Sequence, residues 1–299
     1  MDIESKESAA LNSRALGQSQ TIRVLATIAI LAIAASLGAC RVVPKSFLKQ
    51  HPDTAPFNFV VALGPNKYQI AGYLTRSPEP GRRPALLVLN GEETTERCVD
   101  SNAYIVAMGI QVACISIPGY GHSSGPSRYV GPQAVAAAQR ALDLLAARSD
   151  VDPSRIAVWG AGHGAVAAGL LMDYDSRPRA LILESGAYDM LSLWPETTLR
   201  TKLAIMHEVW PSKRVLAERS VIRHLPSRIG CSVLILHGKR DKSTPVSQAK
   251  SLATALRERG ANVETHYFSQ GHRLGRGVSP EMRAFLQKNL LDGGSAAAS

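Results

Sequence analysis

The sequence predicts an α/β domain built on a mostly parallel sheet with helices on both faces. Three observations predict it. Strand-like and helix-like stretches alternate six times between residues 85 and 290. Several strand candidates, such as Ala-Leu-Leu-Val-Leu at 85–89, are continuous apolar runs, as expected of strands covered on both faces. Five strand candidates run into polar or glycine-rich turns, and in such a sheet these turns collect along one edge, where ligands bind. An apolar fraction of 45% in 299 residues is enough to fill a sizeable core.

The elements follow in order. Residues 57–63 and 68–74 read as two strands joined by the turn cluster Gly64-Pro65-Asn66-Lys67, and 76–84 is a Pro/Gly/charged loop. The strand at 85–89 is followed by a helix over 94–108 and a strand over 111–117. The helix over 132–148 places Val135, Ala138, Leu142 and Leu145 on one face. A strand at 155–159 leads into a small-residue helix at 165–172, and a further strand occupies 180–183. Strands at 232–236 and 263–268 alternate with helices at 246–259 and 280–290. The interval 186–227, with Trp194 and Trp210, breaks the alternation and reads as a cap-like insertion. The tail 292–299 is small and polar and is expected to be disordered.

Residues 1–40 read as a signal segment and 41–56, with Pro44, Pro52 and Pro56, as a linker. The run at 24–37 is apolar apart from Thr27 and Ser36. It has the length of a signal h-region and is shorter than a membrane span. It ends Leu37-Gly38-Ala39-Cys40, which resembles the bacterial lipobox, although the preceding region is long and carries Asp2, Glu4 and Glu7. The resemblance implies a lipid on Cys40 and a membrane-anchored protein of the bacterial envelope, periplasmic or on the outer face. An ordinary signal, an uncleaved N-terminal anchor and a cytosolic protein stand as alternatives. With Cys40 assigned, Cys98, Cys114 and Cys231 remain; Cys114 and Cys231 lie in apolar runs, and all three are expected to be inert core thiols. Net charge is +10, but Lys and Arg are scattered without a recognition stripe. That argues against nucleic acid and for proximity to anionic lipid or polymer. No metal or organic cofactor is indicated.

The chemistry gathers at the turns. Trp159-Gly160-Ala161-Gly162-His163-Gly164 joins a strand to a helix. A Gly-x-nucleophile-x-Gly turn in that context is the elbow that presents a catalytic serine. Later come Leu234-Ile-Leu-His-Gly-Lys-Arg-Asp241 and Ser269-Gln270-Gly271-His272. With Val151-Asp152-Pro153-Ser154-Arg155-Ile156, this order over residues 57–291 resembles the α/β-hydrolase superfamily, closest to its esterase, dienelactone hydrolase and prolyl-oligopeptidase branch. The resemblance implies the α/β-hydrolase fold, Asp241 as orienting acid and His272 as general base. It also implies oxyanion donors at the backbone N–H groups of His163 and of a residue near Glu92. Gly162 occupies the nucleophile position and carries no hydroxyl, thiol or carboxylate.

Two functions are compatible with that composition. One is a catalytically degenerate protein that binds an ester- or amide-like small molecule or a partner. The other is an active hydrolase of ester or amide bonds, using His272 and Asp241 with water or with a serine from another loop. Ser123, Ser124 and Ser185 lie at strand ends and are the serine candidates. The side chain of His163 is expected to pack or face the pocket rim, Glu92 and Glu93 to be solvated, and Trp194 and Trp210 to line a cleft or pack in the core or lid.

Overall fold

The computed structural model describes residues 45–91 and 94–292. Its centre is an eight-stranded sheet of order β1-β4-β6-β5-β7-β8-β9-β10. The strands are β1 (Thr54–Pro56), β4 (Gly72–Thr75), β5 (Arg83–Asn90), β6 (Gln111–Ser116), β7 (Val151–Ala161), β8 (Ala180–Glu184), β9 (Ser232–Gly238) and β10 (Asn262–Phe268). From β6 to β10 all pairings are parallel, whereas β1 and β4 form an antiparallel edge. A separate hairpin pairs β2 (Phe59–Leu63) with β3 (Asn66–Ile70) through Gly64 and Pro65. This is the predicted α/β-hydrolase class.

The N-terminal region corrects two readings. The stretch predicted as one strand over 68–74 is two, because the chain leaves the hairpin at Ala71 and enters the main sheet. Gly72 permits the crossing: a Cβ there would lie 2.7 Å from the Cys114 carbonyl oxygen and 2.9 Å from that of Phe57. The segment read as a linker holds helix α1 (Lys45–Gln50) and strand β1. Phe47 and Leu48 of α1 pack on the core, so the sheet edge is covered earlier in the chain than proline content suggests.

Two apolar layers enclose the sheet. On one side lie α2 (Thr95–Val106), capped by Thr94 and burying Cys98, Val99, Asn102 and Ile105, and α9 (Ser279–Leu286). On the other lie α3 (Pro132–Ala146), α4 (His163–Leu171) and α8 (Ser247–Glu258). Helix α4 is apolar all round and, after His163, wholly buried, as a helix surrounded by protein must be. Gly164 lets it press on β5, since a Cβ there would collide with the Leu89 carbonyl.

The insertion between β8 and β9 folds as α5 (Met190–Glu196), α6 (Leu199–Glu208), α7 (Lys213–Glu218) and a 3-10 turn, Val221–His224. It grips the loop after β6. Glu208 accepts from the Tyr120 hydroxyl (2.7 Å) and the Tyr129 N–H (2.8 Å), and Arg219 donates to the carbonyls of Arg128 and Tyr129. Residues Arg128, Tyr129 and Val130 all have left-handed φ. Those bonds hold a conformation that L-residues rarely adopt.

Cys98 and Cys114 are disulfide-bonded, joining α2 to β6 with a Cα–Cα distance of 6.1 Å. This overturns the expectation of three free core thiols. Both cysteines are buried and each resembles a small hydrophobe in its own local pattern; only the packing of α2 against β6 brings them together. Cys231 is a free thiol, pushed up to about 11 by burial.

Candidate active site

The predicted residues meet at the C-terminal edge of the sheet. Gly162 follows β7 in a left-handed conformation (φ +54°, ψ −115°) available to glycine at little cost. Its N–H donates to the Glu184 carbonyl at 2.9 Å, tying the turn to the end of β8. Among the described residues, a Cβ built on Gly162 would have one neighbour within 4 Å, His272 Nε2 at 3.6 Å. Among the described residues, the space where a nucleophile's side chain would project faces an imidazole nitrogen.

The turns after β9 and β10 are bonded to each other. Lys239 N–H donates to the Phe268 carbonyl and Arg240 N–H to that of Gln270. This brings Asp241 to His272, with His272 Nδ1 2.7 Å from Asp241 Oδ2. Asp241 is buried and accepts from Ser243 N–H (2.9 Å), Thr244 N–H (2.9 Å) and the Thr244 hydroxyl (2.7 Å). Burial opposes its ionisation, but the bonds from His272 and Thr244 prevail and hold its carboxyl below the usual carboxylate range.

Two participants escaped the sequence reading. The Thr244 Oγ1 lies 3.1 Å from His272 Nδ1 and 3.3 Å from the Ser185 carbonyl, so it braces both turns. His237, wholly buried, reaches the Thr244 carbonyl at 2.7 Å and lies 3.5 Å from Asp241 Oδ2. Burial lowers its pKa, so it stays neutral behind the carboxylate. His237 stands in the motif already quoted; Thr244 lies three residues past Asp241 with no signal beyond the residue type.

His163 is the first residue of α4, so its backbone N–H lies at a helix N-terminus. Its ring packs between Tyr120 and Tyr129, at centroid distances of 5.1 and 4.7 Å. Gly91 comes so close to it that a Cβ there would meet the His163 Cβ at 2.5 Å. Glu92 and Cys40 lie outside the described residues, as does the tail from 293 onward.

The three alternative serines separate clearly. Ser123 Oγ donates to the Ser116 carbonyl (2.6 Å) and accepts from Ala71 N–H, while Ser124 Oγ accepts from Gln69 N–H (2.7 Å). Both fasten the β6 loop to the β3–β4 junction. Ser185, just past β8, has a left-handed φ of +49°, is 2% exposed, and its hydroxyl has no hydrogen-bond partner among the described residues.

Gly162, Ser185 and His272 share a cavity of about 260 Å³. It runs between α2 and α9, past Asn90, Asn102, Tyr104, Trp159, Leu274 and Met282. No residue of 186–227 lines it. Trp194 packs against the core and Trp210 is exposed, so neither tryptophan forms its wall. Among the described residues no cluster of His, Cys, Asp or Glu side chains is placed to hold a metal ion.

This fold and edge define a member of the α/β-hydrolase superfamily. The chain belongs to the prolyl oligopeptidase family, whose model matches residues 98–290. An uncharacterized protein of Mycobacterium tuberculosis is 28% identical over 192 residues, which is 64% of either chain, so the match spans less than two thirds of that relative. The uncharacterized peptidase YuxL of Bacillus subtilis is 25% identical over 137 residues, 44% of this chain and 21% of its own. Among solved structures, 2,6-dihydroxy-pseudo-oxynicotine hydrolase superposes with a TM-score of 0.68 at 21% identity, over 83% of this chain and 72% of that one. A puromycin-hydrolyzing peptidase of Mycobacterium tuberculosis gives 0.66 at 20%, over 84% and 41%. Acetyl xylan esterase 1 from Thermoanaerobacterium gives 0.62 at 15%, over 81% and 91%. These structures share the fold.

Proposed function

We propose that this chain is a hydrolase-family protein that binds a small ester- or amide-like ligand without forming an acyl-enzyme at the elbow. The observation that carries the reading is a glycine at position 162 whose Cβ direction points at His272 Nε2, 3.6 Å away, while His272 Nδ1 holds a buried Asp241 at 2.7 Å. The reading takes His272 as base and Asp241 as acid, with no attacking atom on residue 162. In a serine hydrolase the loss of that atom lowers the rate by about 10⁶, with about 10³–10⁴ over water left from binding and the oxyanion hole. His272 and Asp241 acting on a bound water would fall in that residual range.

Ser185 supports a second reading, an active hydrolase with its nucleophile one strand over. The hydroxyl has no partner holding it, and the residue lines the cavity shared with His272. After rotation about χ1, Ser185 Oγ would attack the carbonyl carbon, its proton passing to His272 Nε2. The imidazolium would then protonate the leaving group, and water would release the acyl chain by the reverse transfers. A fluorophosphonate probe with peptide mapping decides between the readings. The binding reading expects no labelled peptide, and stoichiometric label on Ser185 would overturn it.

For location, the reading is an envelope lipoprotein anchored through Cys40. The Cys98–Cys114 disulfide supports it, because such bonds persist in oxidising compartments. Intact mass of membrane-extracted protein is expected to show loss of residues 1–39 and a lipid on Cys40. A mature chain starting at Met1 is the contrary result.

A further inference from the structure

We infer that helix α6 and the adjoining Trp210 form a docking surface for an anionic phospholipid bilayer. In α6 the apolar side chains face the wrong way for a core helix. Ile205 is its one fully buried residue, whereas Leu199, Leu203 and Met206 are 72%, 56% and 42% exposed. Their spacing of four and then three residues puts them within a narrow stripe along one face. Trp210, 74% exposed, follows two residues after the helix ends. Of the seven large apolar side chains exposed among the described residues, these four fall in one twelve-residue stretch. Contiguous apolar surface of this kind marks a contact site rather than random scatter.

Charge selects a bilayer over a protein partner. Residues 196–228 hold seven Lys and Arg against three Glu and no Asp. Glu208 is turned inward onto Tyr120 and Tyr129, and Glu218 is engaged by Arg214 and Arg219. Arg200, within α6, and Lys213, three residues past Trp210, are exposed. A cationic border around aliphatic side chains, with tryptophan at its end, is the composition that settles at the headgroup boundary. The chain also has a means of staying there. Cys40 precedes the first residue of α1, Lys45, by five positions. Even fully extended, that tether spans at most about 18 Å. A lipid on Cys40 therefore keeps the folded unit at the membrane; this delivery rests on the lipoprotein reading, but the recognition by α6 does not.

The test uses the full chain carrying Cys40→Ser, which cannot be lipidated, so failure of the lipid reading does not enter. Vesicles of phosphatidylglycerol with brominated acyl chains quench a tryptophan that enters them. Emission is expected to fall in this protein and to fall much less when Trp210→Phe is added, since Trp159 lines the inner cavity and Trp194 is half-buried against the core, whereas Trp210 is 74% exposed. Adding Leu203→Glu instead is expected to weaken vesicle partition about tenfold, equivalent to losing the burial of one leucine, while circular dichroism stays that of the parent. Equal quenching with and without Trp210 in vesicle-bound protein would overturn the proposal. So would a lipid-free dimer in sedimentation that Leu203→Glu separates, which would assign the stripe to a second copy of the chain.

Discussion

The ends of β7 and β8 lie side by side, and they share a backbone feature while differing in chemistry. Gly162 has φ +54° and Ser185 has φ +49°. At Gly162 the left-handed turn is natural to the residue, with room beside His272 but no hydroxyl. At Ser185 the same sign of φ costs about 1–2 kcal/mol, and the buried hydroxyl without a partner costs about 1–3 kcal/mol more. A serine nucleophile would need both an oxygen and a place facing His272. Here the place lies at one strand end and the Ser185 hydroxyl at the next.

Adding a hydroxyl after β7 is expected to have the largest effect. Gly162→Ser should raise p-nitrophenyl acetate hydrolysis by about 10³ or more, given the about 10⁶ that a triad serine contributes. It should also lower stability by about 1–3 kcal/mol, because serine inherits the left-handed turn. An inert variant whose crystal structure keeps the 2.7 Å His272–Asp241 contact would show that other parts of the machinery have been lost.

The acid behind both strand ends comes next. Asp241→Asn replaces an acceptor facing His272 and Thr244 with a donor, and should cost about 1–3 kcal/mol in urea unfolding at neutral pH. The sign of its pH dependence follows from a folded carboxyl lowered from the ordinary 3.8. The unfolded chain then takes up the proton more readily, so the Asp241 contribution is complete above that value and is lost as pH falls through the folded pKa. The stability difference between wild type and Asp241→Asn should therefore shrink below about pH 4. A difference that stays constant down to acid unfolding would place the carboxylate's bonds outside the folding equilibrium.

The smallest change sharpens the other half of the comparison. Ser185→Gly removes the strained turn and the unpartnered hydroxyl, against the entropy that glycine adds to the unfolded chain, about 0.5–1 kcal/mol. A net gain of about 1 kcal/mol is expected in the urea midpoint. A lower midpoint would mean that the hydroxyl finds a partner in solution.

Much of this was legible in advance, and the reason is local. The elbow, the Asp241 turn and the His272 turn are each short contiguous patterns, and their order along the chain is read directly. The run of strands and helices came through because strands buried on both faces leave unbroken apolar runs. The N-terminal strands were misdivided because Gly72 acts through the carbonyls of Phe57 and Cys114, far from it in sequence. The insertion folds between β8 and β9, but the cavity beside His272 opens between α2 and α9. Which helices flank an edge depends on the layers they pack in, not on their own residues.

From the sequence alone, then, come the α/β-hydrolase class, the pairing of Asp241 with His272 as candidates, and the missing side chain at Gly162, since each is a property of residue identity and spacing. Tertiary structure alone decided that Cys98 bonds Cys114, that Thr244 braces His272, and that Ser123 and Ser124 are committed to backbone groups while Ser185 is not. A disulfide or a hydrogen bond needs its atoms within a few ångströms in a defined direction, and for residues distant in the chain that proximity is created only when the layers close on the sheet.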